Sequence, residues 1–232
     1  MMKQKGFTLA EVMVSLGVGL AILTAIYAAV VSGQQSTGNI QRKVMAHQDA
    51  RAALELMALE IQMASYNPNY VTGMWVSPGD CTAASGNQGY RGIQAATSTS
   101  ITVQSDVNEN GAISTPAQNP NEVITYTYDA ANQYITRNVS CGGAQAFLGD
   151  LPTSGRPRTV HVLNTAGVPV FRYFNAQGTD ISAGLPAAIP NIARIDITLW
   201  VETEDPDTSS RTRKQLVYST NVIPRNHVIP GS

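Results

Sequence analysis

The chain has 232 residues, 13% of them charged, with fifteen Lys and Arg against sixteen Asp and Glu. So nearly neutral a balance argues against a dedicated nucleic-acid binder, which needs a basic excess, and no nucleic-acid partner is expected. The sequence has no Gly-x-Ser-x-Gly elbow, Walker loop or HExxH pair, so no catalytic chemistry is expected from its motifs.

A short basic leader, residues 1–6, ends at Gly6. Residues 7–31 follow as an apolar run with one charge, Glu11, long enough to cross a hydrocarbon core as a helix. A carboxylate at mid-membrane costs about 2–3 kcal/mol, so Glu11 is a functional candidate by default. Lys3 and Lys5 flank one end of the run, and the next cations, Arg42 and Lys43, lie well past the other. The positive-inside rule therefore puts the leader in the cytoplasm and the rest outside. An export signal is cut after its apolar run. Here the candidate cut, Lys5-Gly6-Phe7, lies before it, so cleavage would retain the helix and leave a new amine on Phe7.

The segment KGFTLAEVMVSL resembles the class III signal of type IV pilins and of type II secretion pseudopilins. The resemblance implies that a prepilin peptidase cuts after Gly6 and, acting also as a methyltransferase, methylates Phe7. It also implies that Glu11 serves assembly. Within one chain the Phe7 amine lies about a turn from Glu11 in poor geometry, whereas the amine of a subunit displaced along the axis can meet it.

No proline precedes Pro68, so the spacing predicts a long helix over 7–65, with weak points at Gly33 and Gly38. At 100° per residue its outer half carries two apolar stripes. Ala50, Leu54, Met57, Ala58 and Ile61 face one way; Met45, Ala52, Leu56, Leu59 and Met63 face the opposite way. Arg51 and Glu55 lie on one flank, Asp49 and Glu60 on the other. One stripe can dock on the domain's own sheet. Leu56, Leu59 and Met63 are then free for a partner helix, unless the helix is buried on both sides.

Residues 66–232 have enough length for a domain with its own core, and their Thr, Ser, Asn, Gly and Val content suits β structure. The stretch from Tyr66 to Gln94 reads as irregular. Strands are expected at 101–104, 122–128, 133–139, 159–163, 168–174, 193–202 and 215–223, with a hairpin loop at Asp129–Asn132 and a turn at Asn175–Gly178. Cys81 and Cys141 read as a disulfide in an oxidising compartment. Free thiols or a redox pair are the alternatives, and the lack of a Cys-x-x-Cys motif speaks against redox work.

Outside the N-terminus, ALELMALEIQMASYNP, SDVNENGAI followed by EVITYTYD, VFRYFNAQG and ITLWVETEDPD resemble the W-type (PilW-like) minor pilins and their J-type pseudopilin relatives. The implied fold is α+β, the pilin-like fold with a long N-terminal helix packed on an antiparallel β-sheet. The implied role is a low-copy priming or tip subunit in type IV pilus assembly. Its partners would be other minor and major pilins and the inner-membrane assembly platform. The implied location is the bacterial inner membrane, single-pass with a periplasmic C-terminal domain, then the pilus or pseudopilus at the cell surface. A J-type pseudopilin of type II secretion, or a membrane-anchored adhesin using the same export route, are the other readings.

Asp106, Asn108 and Asn110, followed by Gly111, resemble the first part of a calcium loop. Ala117 stands where the loop's last acid belongs, and Glu122 could reach back in its place. A plain polar turn is the simpler account, and no cofactor other than calcium is suggested. His47, His161 and His227 are scattered without zinc spacing. Arg211, Arg213 and Lys214 are expected to pair locally with Glu202, Glu204, Asp205 and Asp207 across a hairpin.

Overall fold

The helix dominates a computed structural model in which residues 6–113, 121–149, 158–207 and 211–227 are described. The leader up to Lys5, and Ala117, lie outside these. Helix α1 spans Leu9–Gln62, 54 residues, or about 81 Å at 1.5 Å per residue. It is continuous through Gly33 and Gly38 and is capped at Met63, just short of the expected end. Ser65 then turns the chain with a positive φ of 66°, and its amide bonds the Gln104 carbonyl at 2.9 Å.

Eleven strands follow among the described residues. Strands β1 (Val76–Ser77) and β2 (Asp80–Ala84) form a small ribbon. A five-stranded antiparallel meander contains β3 (Ile93–Ala96), β4 (Ser100–Gln104), β5 (Val123–Asp129), β6 (Tyr134–Val139) and β7 (Ala144–Leu148). The second sheet is centred on β10 (Arg194–Thr203). Strand β11 (Gln215–Val222) lines one edge of β10, while β8 (Val160–Val162) and β9 (Phe171–Phe174) share the other. The arrangement is α+β, a long apolar helix on antiparallel sheets.

Side-chain alternation decides which face of β10 is covered. Ile195, Ile197, Leu199, Val201 and Thr203 are buried in strict alternation, as a period-two strand with one core face requires. The apolar four share one core with Ala46, Ala50, Leu54, Met57 and Ile61 of α1 and with Ile93, Ile101, Tyr126 and Ile135 of the meander. Gly92 lies at the crossing of the helix exit and β3. A Cβ there would come within 2.1 Å of the Ser65 amide nitrogen and 2.3 Å of the Gln104 carbonyl, so the backbones approach closely only because glycine has no side chain.

Three strand expectations need correction. The stretch 66–94 is not wholly irregular: it holds the β1–β2 ribbon and the start of β3. Its Gly- and Asn-rich composition hid two short strands whose pairing is local. Strand β7, sequence AQAFL, has weak intrinsic β preference and forms through its pairing with β6. The expected strand 168–174 keeps only 171–174, because β9 pairs with β10 over Arg194–Ile197 alone. The hairpin at 129–132 is present, with the Asp129 carboxylate accepting from Ala131 N at 2.9 Å and Asn132 N at 3.0 Å. The disulfide joins Cys81 and Cys141 with Cα atoms 5.9 Å apart. It borders a second, smaller core of Met74, Trp75, Val76, Cys81, Ile113 and Val123.

Candidate assembly interface

At its N-terminus the chain is extended over residues 6–8 and becomes helical at Leu9. Phe7 is 89% exposed, and nothing lies within 4 Å of the position a Cβ on Gly6 would take. The Gly6–Phe7 bond is therefore exposed and precedes the helix.

Thr8 caps the helix. Its hydroxyl accepts from Glu11 N at 3.3 Å, while its amide and hydroxyl donate to Glu11 Oε2 at 2.8 and 2.9 Å. Thr8 and Glu11 thus form a reciprocal capping box, which satisfies two orphan amides of the first turn. Both bonds fall on one carboxylate oxygen, and Oε1 makes none among the described residues. The negative side chain also sits at the positive end of the helix dipole. The capping role of Thr8 is a finding of the structure. The spacing Thr-x-x-Glu was the available signal.

The rest of this half of α1 is apolar on every side and, among the described residues, covered by nothing. Leu16, Leu20, Leu23 and Ile26 are all exposed. It is the one helix among the described residues long and apolar enough to cross a membrane. Glu11, Ser15 and Gly19 lie four residues apart and share one face.

The outer half is two-sided. Ala46, Ala50, Leu54, Met57 and Ile61 are buried in the core, whereas Met45, Leu56 and Leu59 are exposed, Leu59 by 57%. Met63, at the cap, is half-buried rather than free. The flanking charges divide likewise. Glu60 is bound to the meander, with Arg137 Nη2 at 2.5 Å and Nε at 3.1 Å, and the Tyr126 hydroxyl also donates to it. Burial first, then this carboxylate, hold the Tyr126 phenol well above its ordinary value. Asp49 accepts from the Thr159 hydroxyl at 2.6 Å. On the outward side Arg51 and Glu55 pair with each other at 2.8 Å, four residues apart on the helix.

The expected local pairing across the β10–β11 hairpin is corrected. Among the described residues Glu202 meets a hairpin cation, Arg213, at 3.6 Å. Asp205 and Asp207 bind Arg42 at 3.3 Å and Lys43 at 2.5 Å on the helix, and Glu204 faces Arg158 and His161 at 3.6 and 2.5 Å. The hairpin tip therefore grips α1 just beyond its apolar half. Both helix cations lay in plain view in the sequence, but only the docking angle of the helix brings them to the acids.

The histidines do not converge. His47 bonds the Tyr218 hydroxyl, His161 lies on β8, and His227 is buried at the helix exit. His227 Nε2 lies 2.8 Å from the Ile189 carbonyl and must donate to it. Nδ1 therefore accepts from the Ser65 hydroxyl, also at 2.8 Å. Among the described residues no group of three or more His, Cys, Asp or Glu side chains could hold a metal ion.

No curated protein and no solved structure matches the chain. Residues 1–27 match the family model of the prokaryotic N-terminal methylation motif, a mark of structural rather than enzymatic chains. The match covers the leader, the open Gly6–Phe7 bond, the capped Glu11 and most of the uncovered apolar run. Together these support a type IV pilin-like or pseudopilin-like prepilin, which implies processing by a prepilin peptidase and association with pilin assembly machinery.

Proposed function

We propose that this protein is a minor pilin that takes part in type IV pilus assembly, of the W-type, present in few copies as a priming or tip subunit. The observation that carries this reading is the division of α1. Its outer half has one face committed to the domain's own core, and the remaining apolar surface of the helix is left without a partner. A single-pass anchor needs an apolar span; it has no use for an exposed stripe of Leu56 and Leu59 continuing beyond it. In this reading the peptidase cuts after Gly6 and methylates Phe7, and the domain from Tyr66 onward lies on the periplasmic side. Leu56, Leu59 and the exposed part of Met63 pack on neighbouring helices. Glu11 Oε1 receives the Phe7 amine of a subunit displaced along the axis. Such a pair stabilises mainly by relieving two unpaired charges at low dielectric, and it sets the register between subunits.

The test is expression of Glu11→Ala and Glu11→Gln in a strain lacking the native protein. Mass spectrometry of membrane-extracted protein should find a chain beginning at methylated Phe7 in both variants. Filament number should fall in both, because the glutamine keeps the shape and removes the charge. An intact Met1 start in the native protein would overturn the processing. Normal filament number with both variants would overturn the assembly contact.

A further inference from the structure

The turn that follows β4 buries two carboxylates, Asp106 and Glu122. Asp106 is fully buried and Glu122, at the start of β5, is 1% exposed. Neither takes part in an ion pair among the described residues. Asp106 Oδ1 accepts from Asn110 N at 3.1 Å and Oδ2 from Gly111 N at 2.9 Å. Glu122 Oε1 accepts from Asn108 N at 3.3 Å, which brings the Glu122 carboxylate onto the same loop. Its other oxygen, Oε2, is buried and has no hydrogen-bond partner. A buried carboxylate oxygen left unpaired, beside a second buried carboxylate, is a costly arrangement that native interiors avoid.

The side chains of this loop offer hard oxygens: Asn108 Oδ1 accepts from Asn110 N at 3.0 Å and Asn110 Oδ1 from Ala112 N at 2.9 Å. Asp106, Asn108 and Asn110 stand at alternate positions, Gly111 takes the sixth place with φ 78°, and Glu122 comes from the far side of the loop. That order matches positions 1, 3, 5 and 6 of a calcium loop, with a remote acid in place of the usual twelfth residue. We propose that Asp106, Asn108, Asn110 and Glu122 form a calcium-binding site. The two carboxylates neutralise one divalent charge, and Glu122 Oε2 acquires the partner it lacks. Flexible coordination by a mixed carboxylate and amide set favours calcium over magnesium, which demands near-ideal octahedral geometry and keeps its waters.

The surroundings show what the ion would hold. Asp106 N bonds the Tyr66 carbonyl at 2.9 Å. The Tyr66 hydroxyl and Asn69 Nδ2 each reach Glu109 at 2.8 Å. Ile113 and Val123, on the two limbs of the loop, pack with Trp75 and Cys81 in the small core. Calcium would thus tie the helix exit to the disulfide-bonded ribbon.

The experiment uses the full-length protein in detergent, stripped with chelator and titrated with calcium chloride by calorimetry, with thermal unfolding in parallel. One site per chain is expected, with Kd at or below about 1 mM, the range of extracellular calcium modules. At calcium tenfold above Kd the ratio of folded to unfolded protein should rise about tenfold. Glu122→Gln should weaken binding at least tenfold, and Asn110→Asp should tighten it by adding a third carboxylate, a gain that misfolding cannot imitate. Absence of binding by the native protein at 10 mM calcium would overturn the proposal. So would an unchanged Kd in Glu122→Gln, or an equal response to magnesium chloride.

Discussion

The two halves of α1 are one continuous helix with opposite sequence logic. Beyond the Thr8–Glu11 cap the inner half is apolar all round, and its large side chains are exposed among the described residues. The outer half is apolar on two narrow stripes, and the domain covers only one. A helix that is hydrophobic on every side must be surrounded by something apolar, whereas an amphipathic stripe specifies a direction. The inner half therefore states which solvent it wants, and the outer half states which neighbour. The transition between them coincides with Arg42 and Lys43, the first cations after the apolar run, and with the acids of the β10–β11 hairpin that receive them.

The sharpest test of the two-sided outer half uses adjacent residues. Met57 is wholly buried, so Met57→Lys places a charge in the core and should cost about 3–5 kcal/mol, seen as loss of the cooperative unfolding transition or of soluble folded protein. Leu56→Lys points outward and should leave that transition in place while lowering filament number. Unfolding by both changes would mean that the domain core uses both stripes.

Reducing Cys81–Cys141, or replacing both by serine, should lower stability by roughly 2–4 kcal/mol. The bond closes a long loop and joins the β2 ribbon to the end of β6. Insertion of the inner half should not change, since no contact links it to the bridge. Urea titrations with and without reductant, alongside membrane fractionation, would separate the two effects.

A smaller effect concerns the point where the outer half leaves the core. Burial holds the His227 imidazole down at about 4, against an ordinary value near 6.5. Between these values the unfolded chain binds a proton that the folded one refuses. Stability is therefore full above about pH 6.5 and declines as pH falls toward 4, by up to about 3 kcal/mol. Denaturation midpoints of native protein and His227→Gln measured from pH 7.5 to 4.5 should differ in slope over that window. Parallel slopes would show that His227 titrates normally.

The smallest effect belongs to the outward flank. Arg51 and Glu55 form an exposed pair four residues apart, and such pairs are weak and screened. Arg51→Ala should leave the thermal midpoint unchanged within error. A clear drop would mean that this flank is covered after all.

Much of the fold was legible from local pattern. The helix, its stop near Pro68, the β5–β6 hairpin and the β10–β11 pair each carry their signal within a few residues: period 3.6, period 2, or an Asx-type turn. Strand β7 and the β1–β2 ribbon were not legible, because AQAFL and VS form strands only through the partners beside them. Of the assembly face, the Gly6–Phe7 bond, Glu11 and the two stripes could be read directly. The Thr8 cap is carried by the spacing Thr-x-x-Glu, but its geometry comes only from the structure. The binding of Glu60 by Arg137 and Tyr126 could not be read, since those residues lie on strands far along the chain.

By itself the sequence determined a basic segment up to Gly6 followed by an apolar helix, and an outer helix with two faces. These are properties of composition and periodicity, which survive without any knowledge of neighbours. The tertiary structure alone decided which of the two stripes is buried, and which acids meet Arg42 and Lys43. It also set Glu122 against the Asp106 loop with one oxygen unpaired. Each of these depends on contacts between segments far apart in the chain, and only the docking of the helix on its sheets brings them together.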